Sequence, residues 1–194
     1  RSFYGRMCEW ESAHDSTYNF NGALVAFRSD LISRINDKLG ADDANTAFEA
    51  IRKGYRAVYE KRAIVYEDIP GSFSVQYRQK TRRATGLIEA TLSNLDLLGK
   101  NTPFSRFFYP LRIFMYVCSP PIFLISAGLF CLWLFLVNPV FLMAGIALLA
   151  GIGIAWRQNL VYAFILNQFY LITGLLSLGK DMRVWDSTSE KKKE

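Results

Sequence analysis

Three cysteines in 194 residues are too few for a disulfide scaffold. Cys8 lies in a mixed-composition region and Cys118 and Cys131 in an apolar one, so all three read as buried thiols. There is one histidine, His14, and a lone histidine reads as structural rather than catalytic. No internal repeat is visible. No signal peptide opens the chain, because Arg1 begins a polar region and the apolar runs lie in the C-terminal half. Opening on Arg1 rather than Met reads as a mature or truncated chain. Whole-chain disorder is excluded by 51% hydrophobic and 15% aromatic residues.

The most informative absence is charge. Residues 1–112 carry 17 Lys+Arg and 13 Asp+Glu, as a soluble domain does. From Ile113 to Trp156 there is no charged residue, and after Arg157 none from Gln158 to Gly179. A membrane-spanning helix needs roughly 20 apolar residues. The first stretch holds two such lengths with a turn at Asn138-Pro139, and the second holds one. The spans predicted are 115–137, 139–156 and 159–178, followed by a polar tail over 180–194. A buried helical hairpin in a soluble protein is the alternative, but the uncharged run far exceeds a normal core helix. Lys100, Arg106 and Arg112 precede the first span, which puts the first half on the cytoplasmic side of a plasma membrane. Three spans then send Lys180, Arg183 and Lys191–Lys193 outside, against the same rule, so one segment is expected not to cross fully. The polar pair Asn167-Gln168 marks the third; the alternative there is a helix–helix hydrogen bond within the membrane.

Residues 100–114 interleave Phe104, Phe107, Phe108, Tyr109 and Phe114 with Arg106 and Arg112. Aromatic bodies with cationic tips suit lipid headgroups, predicting an interfacial amphipathic helix broken near Pro110. The alternative is an irregular start to the first span. Residues 1–99 read as α/β. Asn21-Gly22 turns into a strand over Ala23–Phe27, and Ser29-Asp30 caps a helix to Leu39. A helix from Asp43 to Lys53 ends at Gly54, with short strands at 55–59 and 63–66. After the Pro70-Gly71 turn, residues 72–98 read as one long helical stretch containing Gly86.

Two constellations carry candidate chemistry. Asp42-Asp43 stands at a loop-to-helix junction, where paired carboxylates bind a metal, serve as a general base, or simply cap the helix. Gln79, Arg82, Arg83 and Gly86 share one helix face, with Arg78 and Lys80 adding charge and no acid between Asp68 and Glu89. Two guanidinium groups suit diphosphate oxygens. Anionic lipid is the competing ligand, and the membrane run argues against nucleic acid.

In order, the chain reads Phe20-Asn21-Gly22, Ala41-Asp42-Asp43, Glu67-Asp68-Ile69-Pro70-Gly71, then Gln79-x-x-Arg82-Arg83 ahead of the spans. This resembles the C-terminal half of the membrane-embedded family-2 glycosyltransferases, the group of cellulose, chitin and hyaluronan synthases, from about Glu9 to Lys180. The resemblance implies the C-terminal part of a GT-A-like (Rossmann-like) catalytic domain. Asp42-Asp43 matches the family's acidic pair, usually Glu-Asp, whose second member is the catalytic base. Gln79-x-x-Arg82-Arg83 matches its Gln-x-x-Arg-Trp motif, and Phe20-Asn21-Gly22 its acceptor loop. Arg83 stands where the processive synthases have a Trp that stacks on the acceptor sugar, which argues against a long-polymer product. The family's Asp-x-Asp metal motif occurs nowhere in these residues, so the implied Mg or Mn ion would have its ligands outside them, upstream of Arg1.

The resemblance further implies inverting transfer from a nucleotide-diphosphate sugar to a lipid-linked or polysaccharide acceptor at the bilayer. Asp43 would be the base, and Gln79, Arg82 and Arg83 would hold the diphosphate. A non-catalytic membrane subunit or anchor of a glycan-synthesis complex is the alternative. A transporter is poorly supported, since the spans hold no ionisable residue to mark a pathway.

Overall fold

The computed structural model describes residues 2–19, 24–32, 41–66, 72–155 and 160–179. Among them the regular structure is helical. α1 spans Ser2–His14, α2 Asp42–Arg52 and α3 Phe73–Ser93, with a short 3-10 turn at Leu95–Leu97. α4 is one continuous helix of 34 residues, Phe104–Val137. α5 spans Pro139–Ala155 and α6 Leu160–Leu176. Asn138 makes the predicted turn, its side chain accepting the Val140 N–H at 2.9 Å.

The expected strands are the main correction. Residues 24–27, 55–59 and 63–66 are not in strands, and no strand occurs among the described residues. A strand is made by its ladder, and at 55–59 the backbone is committed elsewhere. Ala57 C=O accepts the Thr17 N–H at 2.9 Å. The Ala57 and Tyr59 N–H groups donate to Ser16 and Ser12 hydroxyls. The Arg56 guanidinium donates to the Asp15 carbonyl at 2.7 Å. The end of α1 thus takes the bonds a neighbouring strand would use. The helix expected to run to Leu39 lies mostly outside the described residues; 28–31 form a turn closed by Arg28–Asp30.

α2 begins at Asp42, one residue before the expected start, and stops ahead of Gly54, whose φ of +84° admits little but glycine. Its Phe48 is fully buried against Tyr18, with ring centroids 4.3 Å apart. Phe104 and Tyr109 of α4 complete this aromatic cluster. Its polar atoms are satisfied: the Tyr109 hydroxyl donates to Thr91 C=O at 2.6 Å, and the Tyr18 hydroxyl meets the Thr91 hydroxyl at 3.0 Å. On α3, Thr81, Ala84, Thr85, Ile88 and Thr91 are buried, a helical repeat that turns one face inward.

Pro110 does not break the helix. The chain widens into π-helical turns at Phe104–Phe108 and Phe114–Cys118. An i→i+5 turn gives room where a proline ring would meet the preceding carbonyl and where its N–H is missing. Arg112 is a second correction. It is only 1% exposed, not a cationic tip among headgroups. Its guanidinium grips Glu11 of α1 with two bonds, of 2.8 and 2.9 Å, and donates to the Tyr116 hydroxyl at 2.7 Å. Thr17 donates to the other side of the same carboxylate at 2.6 Å, and Asn19 to Tyr116 at 2.8 Å. Cys8 is buried here, its thiol donating to Asn19 C=O, whereas Cys131 is exposed on the outer surface of α4.

α6 joins the two halves. Near its start Phe164 meets Phe123 of α4 edge-on. Its second half packs on α3, where a Cβ on Gly174 would stand 3.1 Å from Thr85 N and 3.2 Å from Ala84. Tyr77 bonds Thr173 at 3.0 Å, and Lys80 Nζ sits 5.1 Å over the Tyr170 ring. Of the polar pair, Gln168 is buried, and Asn167 bonds the Tyr4 hydroxyl of α1. Among the described residues one helix, α4, is long and apolar enough to cross a membrane; the apolar parts of α5 and α6 are shorter.

Two stability outcomes follow. Arg112→Met strands a buried carboxylate and should cost about 3–5 kcal/mol, while adding Glu11→Leu should restore much of the loss. Unfolding melts of the single and double variants measure this, and additive losses would show no coupling. Gly174→Val should cost about 1–3 kcal/mol in the same assay by overpacking the α3–α6 seam.

Candidate functional site

The acidic pair occupies the first turn of α2. The N-cap position belongs to Ala41, whose backbone is extended and which has no side-chain cap bond. Neither aspartate is therefore the capping residue. Asp42 is exposed and its Oδ1 accepts the Asp43 N–H at 3.0 Å. Asp43 is half-buried and its Oδ1 accepts the Ala44 N–H at 2.8 Å.

The electrostatics of Asp43 are set first by burial. Burial pushes its carboxyl above the ordinary aspartate range. The Ala44 N–H bond pulls it back, the Asp42 charge adds to the rise, and the Arg83 guanidinium opposes it. Desolvation therefore outweighs the backbone N–H bonds and the Arg83 charge at this position. A carboxylate held this way is a better proton acceptor than a solvated one, because its proton affinity is higher.

Asp43 and Arg83, 40 residues apart in sequence, are thereby brought within electrostatic range. Arg83 is exposed on α3, and Gln79 and Arg82 are half-buried on the same helix, one turn apart. Gly86 continues this face, half-buried one turn beyond Arg83. The C-terminal end of α3 is tied to both ends of α2. Asn94 donates to the Asn45 side chain at 3.1 Å, and Arg52 pairs with Asp96 at 2.9 Å and with Asn94 at 2.8 Å. Residues Phe20, Asn21 and Gly22 lie outside the described residues, as do 67–71.

The donor set does not suit a metal ion. Among the described residues no three His, Cys, Asp or Glu side chains cluster. The one acidic pair near the basic helix has a guanidinium as its electrostatic neighbour and a backbone N–H on one oxygen. The arrangement can instead take a proton at Asp43 and hold an anion along α3.

Sequence reasoning missed α1 and its buried Glu11, although it read the Cys8 thiol as buried. The signal was present as Tyr4, Cys8 and Glu11 at helical spacing, each meeting a polar partner. It also missed buried Thr81, whose hydroxyl has no partner one helical step from Arg82.

No curated protein matches the sequence. A solved structure does: the mannosyltransferase PcManGT from Pyrobaculum calidifontis, in complex with GDP-Man and Mn2+. The two are 24% identical with a TM-score of 0.75, over 91% of this chain and 50% of that one. The chain thus spans about half the length of this structural relative and shares its fold. The model of the glycosyl transferase family group 2 matches residues 1–173. By that match over most of its length, the chain belongs to glycosyl transferase family group 2.

Proposed function

We propose that this chain is part of a membrane-bound inverting glycosyltransferase, similar to the cellulose, chitin and hyaluronan synthase group. It would pass a sugar from a nucleotide-diphosphate donor to a lipid-linked or polysaccharide acceptor. The observation that carries the reading is a half-buried, proton-hungry Asp43 within electrostatic range of Arg83, on the helix that also bears Gln79 and Arg82. Asp43 accepts the proton of the acceptor hydroxyl as that oxygen attacks the anomeric carbon. Gln79, Arg82 and Arg83 hold the diphosphate, offsetting the charge that grows on the leaving group. Asp42 stays exposed and adds to the proton affinity of its neighbour. Phe20, Asn21 and Gly22 would line the acceptor side.

The structural relative binds GDP-Man with Mn2+, which supports a nucleotide-sugar donor here. A divalent ion would neutralise donor phosphates; the described residues offer it no ligand cluster, and the steps assigned to this chain run through its own side chains.

Membrane attachment rests on α4. The uncharged part of α4, residues 113–137, runs for about 37 Å; Tyr116 and Pro120 are buried, and from residue 121 on most of its apolar side chains are exposed. That is long enough to cross a hydrocarbon core of about 30 Å. The described side chains of α5 and of the start of α6 are apolar and mostly exposed. We take the spans as 115–137, 139–156 and 159–178, with the catalytic part cytoplasmic. The second half of α6 is the part held against α3 rather than lipid.

Asp43→Asn should lower transfer about 10²–10⁴-fold while leaving donor binding within a few-fold; retained turnover would sink the base assignment. The acid limb of kcat/KM should lie above the ordinary aspartate range, since Asp43 must lose its proton to act. The sign for stability is the reverse. A raised folded-state pKa stabilises at low pH, and that contribution is lost as pH rises through it. At neutral pH, therefore, Asp43→Asn should melt no lower than the parent. Arg82→Ala should weaken nucleoside diphosphate binding by roughly 10-fold or more, as loss of a charge-assisted bond does. A change in membrane attachment alone would favour the lipid-contact reading.

A further inference from the structure

We infer that α1 is a second membrane-surface element, seated in the headgroup layer beside the start of α4 with Trp10 as its anchor. The inference rests on the membrane reading of α4 and goes beyond it, since residues 2–14 carry no long apolar run.

The argument is one of depth. α1 runs antiparallel to the first turns of α4. Asp15 accepts the Phe104 N–H at 2.8 Å, Trp10 meets Phe108 edge-on at 5.1 Å, and Glu11 pairs with Arg112 at 2.8 Å. Cys8 also reaches Arg112, and Tyr4 reaches Asn167 of α6. Arg112 is the last charged residue before the uncharged run that opens at Ile113. Trp10 is level with Phe108, five residues or about 7 Å above that boundary. The polar layer on each side of the hydrocarbon core is of similar thickness.

The side chains at this level suit that layer. Trp10 is 53% exposed although its ring packs on Phe108. Phe107 is 68% exposed, and Leu111 and Phe114 are also exposed on the neighbouring surface of α4. Arg6 and Arg106 are exposed beside them. An indole ring with its N–H free to face headgroups, flanked by guanidinium groups, is the composition that partitions to a bilayer interface containing anionic lipid. The buried Glu11–Arg112 pair locks α1 to α4, so α1 is held at this depth and does not depend on its own affinity for lipid.

The test uses tryptophan emission from the protein in nanodiscs of phosphatidylcholine and phosphatidylglycerol, with spin-labelled lipid added. The component contributed by Trp10 is the difference between the parent and Trp10→Phe; Trp133, exposed on α4, is read the same way from Trp133→Phe. The expected result is a blue-shifted Trp10 component that loses intensity when the label sits near the headgroup, and little of it when only an aqueous quencher is present. If Trp133 is quenched by lipid label and Trp10 is not, α4 is in the bilayer and α1 is covered by protein or water, and the inference falls alone. If neither is quenched, the membrane reading falls with it. Trp10→Tyr supplies the same subtraction should the Phe variant fail to fold.

Discussion

A guanidinium and a carboxylate buried together govern this molecule. Arg112 and Glu11 come from opposite ends of the polar half, 101 residues apart, and both are almost completely shielded. Burying either alone would cost several kcal/mol, so the fold must bring both or neither. Tyr116, Thr17 and Cys8 occupy the remaining donor and acceptor positions. Because the charge-free run begins at the next residue, the same pair fixes where the polar half ends and the apolar helix leaves it. The aromatic cluster of Tyr18, Phe48, Phe104 and Tyr109 is assembled around the helix so anchored.

A second constraint acts from the other side. α6 returns from the apolar part and lies along α3, close enough that a Cβ on Gly174 would crowd the α3 backbone at 3.1 Å. α3 carries Gln79, Arg82 and Arg83, so the helix proposed to hold the diphosphate is positioned by a helix from the apolar part. Its opposite end is tied to α2 through Asn94 and Asn45, and α2 carries Asp43. Proposed base and proposed anion-binding helix are thus set against each other from the C-terminal end of α3, which reaches the first turn of α2 at Asn45, two residues from Asp43.

Much of this was legible in the residues. α2, α3, the turn at Asn138 and the long apolar helix follow from caps, helical spacing and the missing charge, all of which act locally. Asp42-Asp43 and the Gln79–Arg83 face were legible because carboxylate and guanidinium chemistry shows in residue type. The strands were misjudged because a β-rich segment becomes a strand only with a partner, and at 55–59 the end of α1 takes the backbone bonds instead. Pro110 was misjudged because relief by π turns depends on the packing of Phe104, Phe108 and Tyr109.

What the sequence alone determined is whatever depends on neighbours along the chain: which stretches are helical, where charge stops, and which side chains could take a proton or hold a phosphate. Only the tertiary structure decided what those side chains meet. It turned Arg112 from a headgroup contact into one half of a buried pair, because Glu11 arrives from 101 residues away. It raised the proton affinity of Asp43, because desolvation by the surrounding fold outweighs the Ala44 N–H bond and the Arg83 charge.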